Sequence, residues 1–471
     1  MAGRSTAKIN QTAARAIEMG NTARPHGGWT GTWDKTLNPA VGIAYSELSL
    51  EKEFSTESDN QVTFGAQPSA EVLQSISMDN TYSFVNRFRT KDADFAWAFG
   101  FETVKPVVVA ILTDPESILS VDKFDVYEID GADYKFLRFE KCRLTDYSWS
   151  KLAVFSPVGD TVIEEPIIGS NTLESLTGDD IIVSKIERTM YEHLYELPND
   201  RSLRLFTEAE QNAMGFTEDQ KNAGWQRSLM MRVLKSFSDY VVDVEHSICE
   251  SFSLNYTSGS PVQFESNMVS FNDATMPHEE VESASFELDC ESRESILNIN
   301  FYNTMFEIAT HADQPVYKHD NNFEVGVTDI NLGVSIPMQK IQDTVSGLYI
   351  NEPQIEGKYE YEGSVTVTHN KGTKFRQIRD NQEYAHARVS SYRGTEMQEL
   401  LIKRFRLKQA GADNGDVAAE PLEMNIAGSC GEHSFTDWLT YSDDVNPEVY
   451  ESAIVMRTRN FNPKLSLVNL G

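Results

Sequence analysis

The sequence is short of cysteine, of positive charge and of long apolar runs, and each shortage removes a class of protein. Four cysteines occur in 471 residues, Cys142, Cys249, Cys290 and Cys430, and no two form a C-x-x-C pair. A chain of this length buries enough surface to fold without covalent staples. Separate, reduced and mostly buried thiols are therefore expected rather than a disulfide framework. The longest apolar run is Val107 to Leu112, directly after Pro106, whereas a membrane-spanning helix needs about 20 apolar residues. Residues 1–20 hold no apolar signal-peptide core, so a soluble protein is expected, made and used in the cytoplasm and with no membrane partner. Lys and Arg total 41 against 72 Asp and Glu, a formal charge of −31. That balance argues against wrapping duplex DNA, because no cationic excess exists to displace counterions from phosphate. It leaves open a nucleic acid that passes nearby without sticking.

Motifs of catalysis and cofactor binding are also missing. No GxGxxG follows a strand pattern. The nearest approach to GxxxxGK[ST], Glu356-Gly357-Lys358, lacks the upstream glycine and the hydroxyl. His278-Glu279 opens like HExxH but reaches Glu282 where the second histidine belongs. No GxSxG elbow occurs, and neither Asp125 to Asp133 nor Asp413 to Asp416 fits an EF-hand. Cys430 and His433 lie three apart in Gly428-Ser429-Cys430-Gly431-Glu432-His433. A zinc site would want two more ligands at matching spacing, and a nucleophilic pair would need a base in space, so a structural turn is the simpler reading. No catalytic residue, cofactor or metal is expected.

Hydrophobic residues make up 40% of the chain, with 25 Phe and 18 Tyr, too apolar and aromatic for a disordered polymer. Two to three domain-sized units fit. Residues 1–40 form a basic arm on an acidic body, with Arg4, Lys8, Arg15, Arg24 and Lys35 against Glu18 and Asp34, and with Trp29 and Trp33 as candidate anchors. The expectation is an extended or disordered arm that orders on a partner. Residues 41–169 read as a first β unit. Period-two alternation runs through Glu47, Glu51 and Glu53 against Leu48, Leu50 and Phe54, and Asp92 to Phe99 suits a short helix. Asp130-Gly131 joins two alternating runs, Phe124 to Ile129 and Tyr134 to Phe139, as a hairpin. Residues 170–235 look helical, from a capping signal at Thr217 to Gln220 and a stripe of Trp225, Leu229, Met230 and Val233. They are expected as a helical insertion or lateral helix.

Residues 236–471 return to strands. Cys249 to Tyr256 alternates, turns at Thr257-Ser258-Gly259-Ser260, and comes back through Val262 and Phe264. Phe323 to Ile336 and Leu348 to Thr368 read as long strands. Met397, Leu400, Leu401 and Phe405 suggest an amphipathic helix over 396–407, and Glu451 to Thr458 and Leu465 to Val468 close the chain as strands. A loose echo between Tyr134 to Trp149 and Val244 to Phe271 is compatible with a divergent duplication.

The succession Cys249 to Tyr256, a Gly-Ser turn, then Val262-Gln263-Phe264-Glu265 resembles the central hairpin of the tail tube (major tail) proteins of long-tailed bacteriophages. Tyr82 to Phe101 resembles the strand and short helix that precede it in that family. Val327 to Pro337, Ile350 to Gln354 and Gly357 to Thr368 resemble its late strand pair, and Arg459-Asn460-Phe461-Asn462-Pro463 its closing strand. The resemblance covers residues 45–471 in order of elements, with each motif degenerate. It implies a mainly β fold with flanking helices, a tail-tube-type β-sandwich duplicated within the chain, and no enzymatic activity. It further implies a structural virion protein in the tail, assembled in the host cytoplasm, whose subunits join edge to edge into rings that stack as a conduit for genome DNA during ejection.

A trimer of duplicated subunits is preferred, with a hexamer carrying an insertion at 170–235 as the alternative. The implied partners are further copies of the chain, a tape-measure protein, tail-tip and tail terminator proteins, and DNA in transient, non-specific passage. On this reading Phe252, Leu254, Tyr256, Val262 and Phe264 belong to an inter-subunit hairpin. Glu47, Glu51, Glu53, Glu360 and Glu362 are candidates for an acidic lumen that repels phosphate, or for an outer solvated face. Arg4, Lys8, Arg15, Trp29 and Trp33 would dock the arm on the next ring. The competing expectations are another β component of a virion or injection machine, at the tail tip or capsid, and a β-sandwich binding module or enzyme.

Overall fold

Antiparallel strand pairing organises nearly every described part of this chain. The computed structural model describes residues 14–24, 41–42, 47–59, 72–87, 101–113, 125–143, 149–175, 180–196, 226–235, 240–277, 301–310, 324–339, 354–355, 359–368, 372–410, 419–426 and 453–463. In chain order the first strands are β1 (Ala14–Arg24), β2 (Val41–Gly42), β3 (Glu47–Asp59), β4 (Val72–Arg87), β5 (Phe101–Leu112), β6 (Val126–Ile129), β7 (Ala132–Arg143) and β8 (Trp149–Pro157). Next come β9 (Ile167–Leu173), β10 (Ile181–Ile186), β11 (Met190–Glu196), β12 (Gln226–Lys235), β13 (Tyr240–Thr257), β14 (Gln263–Pro277), β15 (Thr304–Thr310) and β16 (Glu324–Val325). The chain continues through β17 (Val327–Ser335), β18 (Met338–Gln339), β19 (Gln354–Ile355), β20 (Glu360–Thr368), helix α1 (Gly372–Asp380), β21 (Ala385–Arg393), β22 (Glu396–Ala410), β23 (Ala419–Ile426) and β24 (Ile454–Asn460). Hydrogen bonds connect 22 strands into one network, and β18 and β19 form a separate pair. The mainly β class is therefore as expected, with α1 the one α-helix among the described residues beside a single 3-10 turn at Phe301–Asn303.

Six strands close on themselves. β6, β7, β8, β5, β10 and β9 pair in that order, and a bridge between Tyr127 and Ser175 ties β6 back to the end of β9. Inside this barrel lie Val108, Ala110, Leu112, Tyr127, Tyr134, Phe136, Phe139 and Phe155, with Ile181 and Val183. Phe136 meets Phe139, Phe155 and Tyr127 at ring-centroid distances of 4.6, 5.7 and 6.4 Å. Such edge and tilted contacts each add about 0.5–1.5 kcal/mol beyond area burial. The β6–β7 hairpin turns through Asp130 at φ 52° and Gly131 at φ 77°, the left-handed pair that matches the twist of its strands.

β5 explains the run Val107 to Leu112. Val108, Ala110 and Leu112 face the barrel core, while Val107, Val109 and Ile111 join Leu137, Leu152, Val154, Met190, Met305, Tyr392 and Met397 in a second core outside it. A strand covered on both faces has no polar side to show. One edge of β5 is shared, Phe101 to Val107 pairing with β11 and Ala110 to Leu112 with β10. The strand thereby passes from the barrel into a larger sheet. There the order runs β5, β11, β24, β22, β21, β15. The far half of β22 pairs with β23, and β23 leads on through β20, β17, β13, β14, β4 and β3.

Several expectations are corrected. Over 170–235 the described residues are strands. Leu229, Met230 and Val233 lie in β12, paired with β13 and β1; Trp225 and the capping signal at 217–220 lie outside the described residues. Residues 396–407 are strand β22, not a helix. Both faces of its first half are buried, so apolar residues fall at helical spacing without a helix. Between 14 and 24 the basic arm is strand β1, matched to β12 from Ala14↔Lys235 to Arg24↔Gln226. Removing residues 1–40 would strip a strand from the sheet rather than free an arm. The short helix expected at 92–99 and the strand expected at 465–468 lie outside the described residues.

Candidate functional site

Two groupings of side chains stand out, one exposed and one buried. The exposed one is a face of the sheet formed by β14, β13, β17 and β20. Alternation places Phe252, Leu254 and Tyr256 of β13 inside, with Phe264 of β14, Ile330, Leu332 and Val334 of β17, and Val365 and Val367 of β20, each at most 4% accessible. The opposite positions are Ser251, Ser253 and Asn255, Gln263, Glu265 and Asn267, Asn331, Gly333 and Ser335, and Glu360, Glu362 and Ser364. No Lys or Arg stands on this face among those residues.

The rungs are set by register. Glu265, Ser253, Gly333 and Glu362 form one, and Asn267, Ser251, Ser335 and Glu360 the next. Short polar side chains knit the strands. Asn331 Nδ2 donates to Asn255 Oδ1 at 2.7 Å, Asn267 Nδ2 to Ser251 Oγ at 2.9 Å and Thr257 Oγ1 to Asp329 Oδ1 at 2.8 Å. These bonds hold the amides in fixed orientations and keep the face polar. The register carries on past β14 through Val85 of β4 to Glu47 of β3, which occupies the same rung as Glu265 and Glu362. At about 4.8 Å per strand, Glu362 to Glu265 spans about 14 Å and Glu362 to Glu47 about 24 Å. Carboxylates about 14 Å apart in water repel by only about 0.3 kcal/mol before salt screening, so the row persists without cations.

Of the residues singled out from sequence, Glu360 and Glu362 are exposed on this face and Glu47 shares its rung. Glu51 and Glu53 lie farther along β3, opposite Thr81 and Asp79. Glu265 and the Asn and Ser positions were not singled out. The alternation that buries Phe252, Leu254 and Phe264 was the signal that would have found them. The hairpin residues are corrected. Phe252, Leu254, Tyr256, Val262 and Phe264 are each at most 2% accessible within their own chain, so their side chains have no surface left for a neighbouring subunit. Both edges of that end of the hairpin are also taken, β13 by β17 and β14 by β4. Arg15 lies in β1; Arg4, Lys8, Trp29 and Trp33 lie outside the described residues, as do Cys430 and His433. Among the described residues no group of three or more His, Cys, Asp or Glu is placed to hold a metal ion, and no helix is long and apolar enough to cross a membrane.

The buried grouping joins the barrel to the larger sheet. Four arginines, Arg138, Arg388, Arg457 and Arg459, and four glutamates, Glu140, Glu192, Glu307 and Glu399, are all at most 6% accessible. Three pairs sit directly across strands, Glu192↔Arg459, Glu399↔Arg457 and Glu307↔Arg388. From the barrel side β7 supplies Arg138, which bonds Glu140 at 2.8 Å and Glu192 at 2.5 Å. Arg459 bonds Glu140 at 2.9 Å and Glu192 at 3.3 Å, Arg388 reaches Glu307 at 3.2 Å and Glu399 at 3.3 Å, and Arg457 pairs with Glu399. A β-bulge between Phe136 and Arg138 shifts the alternation of β7. It keeps Phe136 and Phe139 in the barrel while Leu137 and Cys142 join the outer core.

Charges withdrawn from water are tolerated only when paired and bonded, and here they balance four to four. Burial opposes the charge on Arg138, but Glu192 and Glu140 outweigh it and hold the guanidinium more firmly protonated than usual. Burial pushes the Cys142 thiol up to about 12, with Arg459 pulling the other way. Tyr392, buried beside Glu140 and Glu399, is also raised. Cys142 and Cys249 are free and buried, as expected of them. No protein-family model matches this chain, and no curated protein is significantly similar to it.

Proposed function

We propose that this protein is a structural, self-assembling β protein of the tail-tube kind, whose copies enclose a channel lined by the polar face of β14, β13, β17 and β20. The observation that carries the reading is the chemistry of that face. It is broad and acidic, with Glu265, Glu360 and Glu362 exposed, Glu47 of β3 on the rung of Glu265 and Glu362, and no Lys or Arg among the described residues of its four strands; Arg87 of β4, opposite Gln263, marks its margin. A surface of this kind offers a polyanion neither ion pairs nor apolar purchase, so a duplex would slide past it with low friction. A binding module needs the opposite: convergent donors, aromatic platforms or a cationic patch.

Long strands at the margins support assembly through edges. Among the described residues, β3, from Glu47 to Asp59, pairs with β4 alone. Beyond Ser270 β14 pairs with β13, and before Asn80 β4 pairs with β3. Edges of such length are normally covered or completed by another chain, and closed rings complete them. Electron microscopy of the concentrated protein tests the reading. Rings or filaments with an axial hole support it, and a monodisperse monomer at high concentration overturns it. Within assembled particles, Glu265→Lys with Glu362→Lys should leave tubes intact and slow genome ejection; unchanged ejection would remove this face from the channel.

A further inference from the structure

The barrel closes through a single bridge, and the strand beside that seam keeps an open edge. β9 pairs with β10 from Ile167↔Ile186 to Leu173↔Ile181. On its other side, among the described residues, one bridge joins Ser175, past the end of β9, to Tyr127 of β6. The strand reads Ile-Ile-Gly-Ser-Asn-Thr-Leu, without a charge. Ile168, Gly169, Ser170 and Thr172 are exposed, and Ile168 is 79% accessible. Ile167 packs against the barrel core, so Ile168 stands on the outward face of the strand.

The ladder bonds fix where the backbone of β9 points. A residue in an antiparallel strand sends its N–H and C=O to one side, and successive residues alternate. The Ile182 carbonyl accepts from the Thr113 N–H at 3.0 Å, at the end of β5. Thr172, opposite Ile182, therefore turns its own N–H and C=O away from β10. The Glu187 N–H donates to the Val109 carbonyl of β5 at 2.8 Å. Lys185, two residues earlier, thus also points to β5, and Ile168 opposite it points outward. Between these positions two residues, Gly169 and Ser170, face one, Ser184, in a bulge with Gly169 at φ 128°. Asn171 Nδ2 donates to the Gly169 carbonyl at 3.1 Å across it. The edge offers backbone groups at Ile168 and Thr172 on either side of a kink. Such a kink interrupts a long pairing and suits a short one.

Negative charge surrounds this edge. Glu164 and Glu165 precede β9, Glu174 follows it and Asp180 precedes β10, all exposed. The nearby cations are engaged, Lys185 with Glu187 at 2.6 Å and Arg188 over the Phe461 ring at 4.3 Å. A second copy fits poorly. Two β9 strands set antiparallel about Ser170 would match Ile168 with Thr172, but Glu174 of each would stand beside Glu165 of the other, and like charges weaken such a pairing. We infer that the free edge of β9 is a strand-addition site for a short extended segment of another protein, apolar and β-branched in its middle with Lys or Arg at both ends. Main-chain bonds to Ile168 and Thr172 hold the segment, its apolar side chains cover Ile168, and its cations meet Glu164, Glu165 and Glu174. The site lies outside the channel face and does not depend on it.

The probe is a labelled synthetic peptide that alternates valine and threonine between lysine pairs, titrated with the full chain by fluorescence anisotropy. It should bind, and the same peptide between glutamate pairs should bind at least about tenfold more weakly. Glu164→Lys with Glu165→Lys should abolish that preference. Thr172→Pro removes an outward N–H without touching the pairing to β10, and should weaken binding about tenfold. A control on the peptide needs no variant protein. N-methylation of the alternate residues that turn to β9 should abolish binding, and N-methylation of the other set should spare it. Absent binding, equal affinity for the two peptides, or equal effects of the two methylation patterns would overturn the inference. So would a preference for lysine that survives the charge reversal, or a Thr172→Pro protein that binds as the native one does.

Discussion

Arg459→Met is the most informative single change. Arg459 is wholly buried. Its guanidinium forms an ion pair with Glu140 at 2.9 Å and donates hydrogen bonds to Glu192 at 3.3 Å and the Thr395 carbonyl at 2.9 Å. Methionine fills comparable space but leaves the joint with three arginines against four glutamates. Removing one member of a buried pair costs about 3–5 kcal/mol, since the partner charge stays behind in a medium that solvates it poorly. With a urea slope of about 3 kcal/mol/M, the midpoint should fall by about 1–2 M.

The second half of the experiment restores neutrality. Glu140→Gln on its own should also destabilise, because it weakens the hold on Arg138 and Arg459. Combined with Arg459→Met it leaves three charges of each sign, so the double variant should be more stable than the sum of the singles by at least about 1 kcal/mol. Urea titration followed by tryptophan fluorescence and far-UV circular dichroism on the four proteins reads this directly. A fall below about 0.3 M for Arg459→Met, or strict additivity, would refute a charge-balanced joint.

Further outcomes follow from the barrel and its rim. Gly131→Ala should cost about 1 kcal/mol in thermal or urea unfolding, because at φ 77° a side chain meets backbone strain although the space around it is open. Phe155→Ala should cost about 3–5 kcal/mol by emptying the aromatic centre of the barrel, measured the same way. The thiol of Cys142 is held near 12 in the folded chain against about 9 when free, so the unfolded chain loses its proton first. The contribution of Cys142 to stability should therefore be level below pH 9 and fall as pH rises from 9 to 12, by up to about 1.4 kcal/mol per pH unit. Urea midpoints at pH 8, 9.5 and 10.5 test this, and Cys142→Ala should flatten part of the slope. In the native protein at pH 8 a thiol reagent should leave Cys142 and Cys249 unmodified and label both once the chain unfolds; prompt labelling would contradict their burial.

How far the sequence could be read depended on how many faces of each strand are buried. The β13–β14 hairpin has one wet face and one dry, so Phe252, Leu254 and Tyr256 alternate with Ser251, Ser253 and Asn255, and the pattern announces itself. Asp130-Gly131 is as legible, because few dipeptides accept two left-handed residues in succession. β22 is covered on both faces, and Met397, Leu400, Leu401 and Phe405 mimic a helix because nothing enforces period two. β12 misleads because Leu229, Met230, Met231, Val233 and Leu234 crowd together with only Arg232 among them, leaving no clear alternation.

Local chemistry, then, was enough to establish a mainly β chain, buried thiols at Cys142 and Cys249, an acidic charge balance, and the hairpins whose two faces differ in polarity. Only the tertiary structure could decide which strands lie side by side. Register alone put Glu47 on one rung with Glu265 and Glu362 and turned the expected subunit-contact hairpin into core. It also gathered Arg138, Glu192, Glu307, Arg388, Glu399 and Arg459 from across the chain into one joint. Within any short window those residues look like an ordinary solvated face, because a charge carries no local sign of whether water or an opposite charge will meet it. That is settled by pairings between strands far apart along the chain.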